Sequence, residues 1–432
     1  MKRLTNHRTM FRRRPSVAVV GAGISGLTAA YLLSRTHDVI LFEADERLGG
    51  HAHTHDVSDS NGWRHAVDSG FIVHNDLTYP WLRKLFRELG VEVRPTEMSM
   101  SVRCEGCGLE YAGGRGVRGV FSQRRRLMDP RFIHMLWQIR RFHRRASAFL
   151  READEKNLVT YGQFLRQEGF SDFFVAHYAI PVVSCVWSAG RDTTLMYPAR
   201  YLFQFLDHHG MLRVTGSPQW YSVVGGSRSY VERLAALLRD VRAAHAVTDV
   251  TRREDCVELR DATGQTTRVD RVVIATHADQ ALDLLADPSD AEVSALKQFT
   301  YSSNVTVLHT DSSILPDAPD ARASWNYTMN SCGRLDRPAV VTYWMNRLQG
   351  IQSPDTLLVT LNDRGRVDGD RVVAVMHYEH PIYTPEAVSA QSRLGALATD
   401  RTVYAGAYHG WGFHEDGCRS GVAAARHFGV AW

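Results

Sequence analysis

Cysteine is scarce in this chain: six in 432 residues, at Cys104, Cys107, Cys185, Cys256, Cys332 and Cys418. So thin a scatter excludes a disulfide framework and predicts a reducing, cytoplasmic setting. The one close pair, Cys104-Glu-Gly-Cys107, has zinc or redox spacing, but no second such pair follows. A zinc ribbon is therefore not expected, no metal is predicted, and Gly106 with Gly108 points to a hairpin turn, a labile disulfide being the alternative. A surplus of one charge is also lacking, since 51 Lys and Arg face 47 Asp and Glu for a net +4. Nothing resembles a nucleic-acid reading module, so nucleic acid is not an expected partner. No stretch reaches ~18 uninterrupted apolar residues, which excludes a membrane-spanning helix. Internal repeats and low-complexity tracts are absent too. What is present, 44% hydrophobic and 23% charged residues in a chain longer than one core usually supports, predicts a folded protein of two domains.

The first sixteen residues, MKRLTNHRTMFRRRPS, are basic and precede the apolar run Val17 to Leu33, which superficially copies a twin-arginine export signal. Glycines at fixed offsets inside that run argue for a basic tail followed by a strand instead. Val17 to Val20 suits a buried parallel strand, Leu27 to Arg35 a helix, and Val39 to Glu43 a second strand. Between them, Gly21-Ala-Gly23-Ile24-Ser25-Gly26 has the spacing that permits a tight turn, close approach to a pyrophosphate and close helix packing. The pyrophosphate would sit on the helix N-terminus, where free N–H groups favour an anion. Glu43, ending the second strand and followed by Ala44, would accept from an adenosine ribose and repel a 2′-phosphate, so FAD or NAD is favoured over NADP.

The continuation EADERLGGHAHT resembles the flavin-containing amine oxidase superfamily, in which an acidic residue is followed by Arg-x-Gly-Gly, here Arg47, Gly49 and Gly50. His51 stands where a basic side chain usually follows. The resemblance recurs in VDSGFIVHND, with Gly70, Phe71 and Ile72 at the flavin approach, and in VTDV, with Val247 beside adenine. It recurs again in RVVIATHADQ, with Ala275 and Thr276, and in YAGAYHGWGFHEDGCRSGVAAA, with Gly406, Phe413 and His414 near the flavin pyrimidine. It implies FAD as cofactor. The phrases GFIVHNDLTYP, PQWYSVVGGSRSYVERL, THADQALDLL, TYWMNRLQG and GFHEDGCRSG are similar to a bacterial subfamily of FAD-dependent oxidoreductases. Its members often accompany fatty-acid-modifying methyltransferases. The resemblance thus implies lipid acyl chains as a substrate class and a methyltransferase as a partner.

The resemblance also has departures. Asn304, in SSNVTVLHTD, falls where many amine oxidases carry a lysine that holds a water near flavin N5. Fast reoxidation by that route would then be absent, leaving room for a dehydrogenase, desaturase or isomerase with another electron acceptor. Phe413 matches one of the family's two flavin-facing aromatics, beside Trp411, and Ala407 follows Gly406 where an acid is common. Glu415 and Asp416 read as helix-capping acids. His51, His53, His55 and His74 lie near the implied cofactor, yet no catalytic base is named, because flavin dehydrogenation can pass its proton to a His, a Tyr or a carboxylate. HAHTH alternates as strand ligands would, but no fourth ligand accompanies it. Cys418, inside the last helix, is a poor candidate for covalent flavin attachment.

From Gly113 to Arg151 eleven arginines face one acid, Asp129, and large apolar residues such as Trp137 and Phe142 are interleaved. This 115–151 region reads either as a membrane-surface element for anionic lipid or as a helical domain with a solvated basic face. The expected fold is α/β. It combines an FAD-binding Rossmann-like domain of the glutathione-reductase type, from 17–95, 225–300 and 395–432, with an inserted α+β substrate domain from 96–224 and 301–394. Three functions are open. They are an FAD-dependent oxidoreductase desaturating or isomerising a lipid, an amine oxidase making imine and hydrogen peroxide, and a non-catalytic flavoprotein partner of a lipid methyltransferase. A location peripheral to the inner membrane face follows from the lipid reading.

Overall fold

Val17 to Val20, apolar and fully enclosed, form the middle of a five-stranded parallel sheet in the computed structural model, which describes residues 13–152, 154, 157–213, 216–332 and 340–432. The first twelve residues of the expected basic tail lie outside the described residues. The sheet runs Asp240–Arg242, Asp38–Phe42, Ser16–Val20, Arg271–Ile274, Thr402–Tyr404, with Val19 between Leu41 and Val273. A central parallel strand is covered on both faces, which is why this one is apolar throughout rather than alternating. Helices Ile24–Leu33 and His414–His427 cover one face. An antiparallel sheet of Val247–Arg252, Val257–Asp261 and Thr266–Val269, with helix Pro385–Leu394, covers the other.

The second body is a seven-stranded mixed sheet in the order Val372–Ile382, Thr300–His309, Leu358–Leu361, Val340–Trp344, Trp325–Met329, Met100–Cys104, Leu109–Gly113. It packs with helices Pro130–Glu152, Tyr161–Gln167, Ile180–Trp187 and Ala199–His208 around a core rich in phenylalanine. Within that core Phe142 meets Phe164, Phe174 and Phe203 edge-on or tilted at centroid distances of 5.7–6.3 Å. Edge-on contacts suit the ring quadrupole and hold the helices at fixed spacing.

Three expectations are corrected here. The strand expected over Arg242 to Val250 divides in two, because Ala244 adopts a left-handed φ of 57° and turns the chain from the parallel sheet into the antiparallel one. The expected domain limits near 95 and 224 cut a sheet, since Trp220–Val223 pairs back onto both Val73–Asn75 and Val93–Thr96. Finally, Cys104 and Cys107 do sit on a hairpin turn, but not as an isolated pair, since the fold brings His177 and Cys332 to them. The missing ligands come from distant segments and leave no spacing signal.

Candidate active site

The glycine turn is built by backbone geometry. Gly21 has φ +98° and donates its N–H to Phe42 O at 2.8 Å, and a Cβ there would lie 2.9 Å from Ala275 O. At Gly26 a Cβ would fall on the carbonyl of Gly21, so the helix can begin against the turn only with glycine. Gly23 has open space where its Cβ would be, and Gly50, at φ +57°, would place a Cβ 3.3 Å from the Gly23 Cα. Two glycine loops thus face each other across the start of a ten-residue helix with no side-chain cap and no acid in its first turn. Those uncapped N–H groups are what a pyrophosphate requires. Glu43 is fixed beside them, accepting from Ala22 N–H at 2.7 Å and Asp45 N–H at 3.1 Å.

A cavity of ≈ 1090 Å³ extends from this clamp into the second body. Gly21, Gly23, Ile24, Ser25, Glu43, Ala44, Gly49, Gly50 and His51 line it from the first segment, followed by Gly70, Phe71 and Ile72. Val247, Ala275, Thr276, Gly406, Phe413 and His414 line it from the distant ones. Two predicted residues do not. Gly26 is buried under the turn, where it serves packing. Arg47 lies off the wall and braces the second glycine loop by donating to Leu48 O, Ala52 O and Gly50 O at 2.9–3.1 Å. The chain therefore fits FAD: two open glycine loops, an uncapped helix end, and a ribose carboxylate on one cavity.

Midway along the cavity stand neutral histidines. Burial, then His380 and His277, hold His51 well below the usual imidazole range, and its Nε2 has no hydrogen-bond partner among the described residues. Burial, then His277, lowers His380 to about 4, and burial, then His74, lowers His414 to about 3. Tyr378, pushed up to about 12 by burial, shares hydrogen bonds with Ser69 Oγ at 2.6 Å and His53 Nδ1 at 3.0 Å. Ser69 Oγ in turn meets His55 Nε2 at 2.9 Å. This chain of hydroxyls and imidazoles runs from the cavity wall to partly exposed rings. His53 and His55 thus belong to a relay, with ring centroids 4.1 Å apart, while His74 is buried off the wall.

Asn304 is buried behind the wall rather than on it. Its Nδ2 donates to His380 Nδ1 at 3.3 Å, and its Oδ1 accepts from Asn362 at 2.9 Å. Asn304 thus meets the cavity wall through His380, which the sequence reading missed. Of the two capping acids, Asp416 accepts from Phe413 N–H at 3.1 Å at the start of its own helix. Glu415 instead caps helix Pro80–Leu89 through Trp81 and Leu82 N–H.

The far half of the cavity is walled mainly by Met98, Met100, Val182, Val186, Trp187, Phe205, Trp325, Tyr343, Leu361, Trp411 and Phe413, with Ser99, Ser188 and His209 among them. Phe413 stacks on Phe205 at 4.9 Å, and Trp187 meets Phe205 at 4.6 Å. Five carboxylates line the cavity. Glu43, Asp45 and Asp283 belong to the clamp end, and exposed Glu97 and Glu379 are paired with Arg347 at 2.8 Å and His277 at 3.3 Å. The model of the family described as flavin containing amine oxidoreductase matches residues 24–427.

The chain belongs to that family.

This flavin-containing amine oxidoreductase is an FAD-dependent oxidoreductase with the family's mixed α/β fold. It is 16% identical, at TM-score 0.67, to the structure of a fatty acid isomerase from P. acnes that produces CLA, covering 96% of this chain and 99% of that one. It is 14% identical, at TM-score 0.69, to putrescine oxidase bound to putrescine, covering 95% and 98%. An L-amino acid oxidase of Cerastes cerastes is 56% identical over 48 residues, only 11% of this chain and 9% of that oxidase. No helix among the described residues is long and apolar enough to cross a membrane.

Proposed function

We propose that the substrate is a long apolar molecule, a fatty-acyl chain, oxidised or isomerised at a carbon–carbon bond. The observation that carries this reading is the far half of the cavity, walled by aromatic and aliphatic side chains, with the wall carboxylates confined to the clamp end or to exposed ion pairs. An ammonium group placed there would lose its water and meet only exposed Glu97, whose charge Arg347 already engages. FAD, when bound, supplies the two-electron acceptor. The side chains do the rest: apolar walls hold the acyl chain and exclude water, and neutral His51 and His380 offer ring nitrogens to a moving proton. Tyr378, Ser69, His53 and His55 connect the wall to the outside. The likeness in fold to a fatty acid isomerase agrees with this substrate class.

An acyl chain on a phospholipid must be drawn from a bilayer, and the arginine-rich region has the surface for it. Val117, Met128 and Trp137 are 75%, 87% and 57% exposed beside exposed Arg118, Arg124, Arg131, Arg140 and Arg144. Gly114, just before this region, lines the cavity. We infer docking on anionic lipid through these residues.

The test mixes FAD-loaded protein anaerobically with vesicles of unsaturated or methyl-branched phospholipid, and separately with amines, following flavin absorbance near ~450 nm and double-bond position by mass spectrometry. Bleaching or a shifted double bond with lipid alone is expected, as is vesicle binding that vanishes at high salt. Bleaching by an amine alone overturns the reading. It would favour amine oxidation.

A further inference from the structure

Outside the cavity, one cluster of side chains has the composition and shape of a metal centre. Cys104, Cys107, His177 and Cys332 place their ligand atoms within 4.8 Å of one another. The Sγ atoms of Cys104 and Cys332 are 3.5 Å apart, and His177 Nε2 lies 3.6 Å from Cys107 Sγ and 3.5 Å from Cys332 Sγ. A tetrahedral zinc with bonds of about 2.3 Å to sulfur and about 2.0 Å to nitrogen has S···S edges of about 3.8 Å and S···N edges of about 3.5 Å. The three short spacings match those edges to within about 0.3 Å. They are far too long for a disulfide, whose sulfurs stand about 2.05 Å apart.

The surroundings are those of a metal ligand set. His177 is fully buried, and its Nδ1 lies 2.9 Å from Phe173 O, which fixes the proton there and leaves Nε2 free to face the three sulfurs. It sits in a π-helical turn, Val175–Ala179, the kind of irregularity that recurs at functional positions. Cys104-Glu-Gly-Cys107-Gly108 forms a knuckle in which Gly108 takes φ +62°. A Cβ at Gly106 would lie 2.8 Å from Ser331 Cα, so glycine is what lets the loop carrying Cys332 approach. Arg366 holds the two loops together through Glu105 and Asn330.

We propose that Cys104, Cys107, His177 and Cys332 bind one Zn²⁺ as a closed structural site. Each thiol gives up its proton on binding, and four protein ligands leave no open position for substrate, so the metal's work is mechanical. The chain running into each ligand also builds the acyl chamber: Met98 and Met100 precede Cys104, Val182 and Trp187 follow His177, and Trp325 precedes Cys332. Zinc would clip three walls of the substrate half together and leave the dinucleotide clamp untouched.

The test begins with FAD-loaded protein purified without chelator under reducing conditions. Elemental analysis is expected to give about one zinc per chain. Replacement by Co²⁺ should give the intense visible and near-ultraviolet bands of a tetrahedral thiolate site. Cys332→Ser, at an exposed loop position, should weaken zinc binding roughly tenfold or more while the flavin stays bound. Cys256→Ser, far from the cluster, should change nothing. Chelation should lower the thermal midpoint without releasing FAD. Zinc below about a tenth of an equivalent after incubation with excess Zn²⁺, no cobalt–thiolate bands, or a mapped Cys104–Cys332 disulfide in reduced protein each overturns the proposal. The cobalt spectrum is read on the unaltered chain, so it decides the matter even where a variant fails to fold.

Discussion

The two halves of the cavity are made in opposite ways. The clamp half is made of backbone: glycines with open or left-handed geometry, a helix end without a cap, and one carboxylate held by two N–H groups. The substrate half is made of side chains, with aromatic and aliphatic walls drawn from segments far apart in sequence. Backbone geometry is intolerant of change and recognises a fixed ligand. A wall of packed rings can be resized one side chain at a time, which is how one fold serves different substrates.

The sharpest way to separate the halves is Gly23→Glu. Its side chain would enter open space at the clamp and bring a negative charge to the pyrophosphate position. Flavin content after gel filtration should fall at least about a hundredfold, close to 3 kcal/mol, while near-ultraviolet circular dichroism of the aromatic half stays unchanged. Loss of both signals would mean that the halves fold as one unit.

Acid should strike the junction next. Burial is the leading cause that holds His380, His409, His309 and His74 at about 4 and His53 and His414 at about 3. These rings are neutral in the fold but bind protons near pH ~6.5 once unfolded. Stability is therefore complete above that pH and is lost as pH falls from ~6.5 toward ~4. Asp68 and Asp416, raised to about 6, and Glu415, raised to about 7, mainly by burial, slope the other way, but they are fewer. Cooperative unfolding before pH ~4 is expected by circular dichroism. Full stability there would contradict the buried neutral histidines.

Phe205→Ala tests the independence of the substrate half. Removing a buried ring that stacks on Phe413 and meets Trp187 at a tilt should cost about 3 kcal/mol in urea unfolding, with FAD stoichiometry unchanged. The smallest effect belongs to Asn304→Leu, which removes the donor to His380 Nδ1. We expect kcat/KM to fall about tenfold with a shifted pH profile, because the ring loses the bond that fixes its tautomer. A fall without that shift would reduce Asn304 to packing.

This contrast also explains what could be read from the sequence. Gly21, Gly23 and Glu43 were legible because the turn, the helix start and the ribose carboxylate are local and spaced by backbone geometry. Gly26 belongs to the same fingerprint but serves packing, and Arg47 braces a loop rather than lining the cavity, since a motif does not say which way a residue faces. Trp187, Phe205, Trp325 and Tyr343 obey no spacing at all. Tyr378 and His380 emerge only once Val372–Ile382 lies beside Thr300–His309 in the sheet. Cys332 joins Cys104 across 228 residues, a separation that no local pattern encodes.

Helix Ile24–Leu33 packs against helix His414–His427, and Thr28 meets Cys418 across 390 residues. On the ribosome, the glycine turn emerges about 390 residues ahead of the helix that completes its cover. Flavin capture must then await that helix, and a ribosome stalled before Thr402 would display a chain with the fingerprint but without the grip.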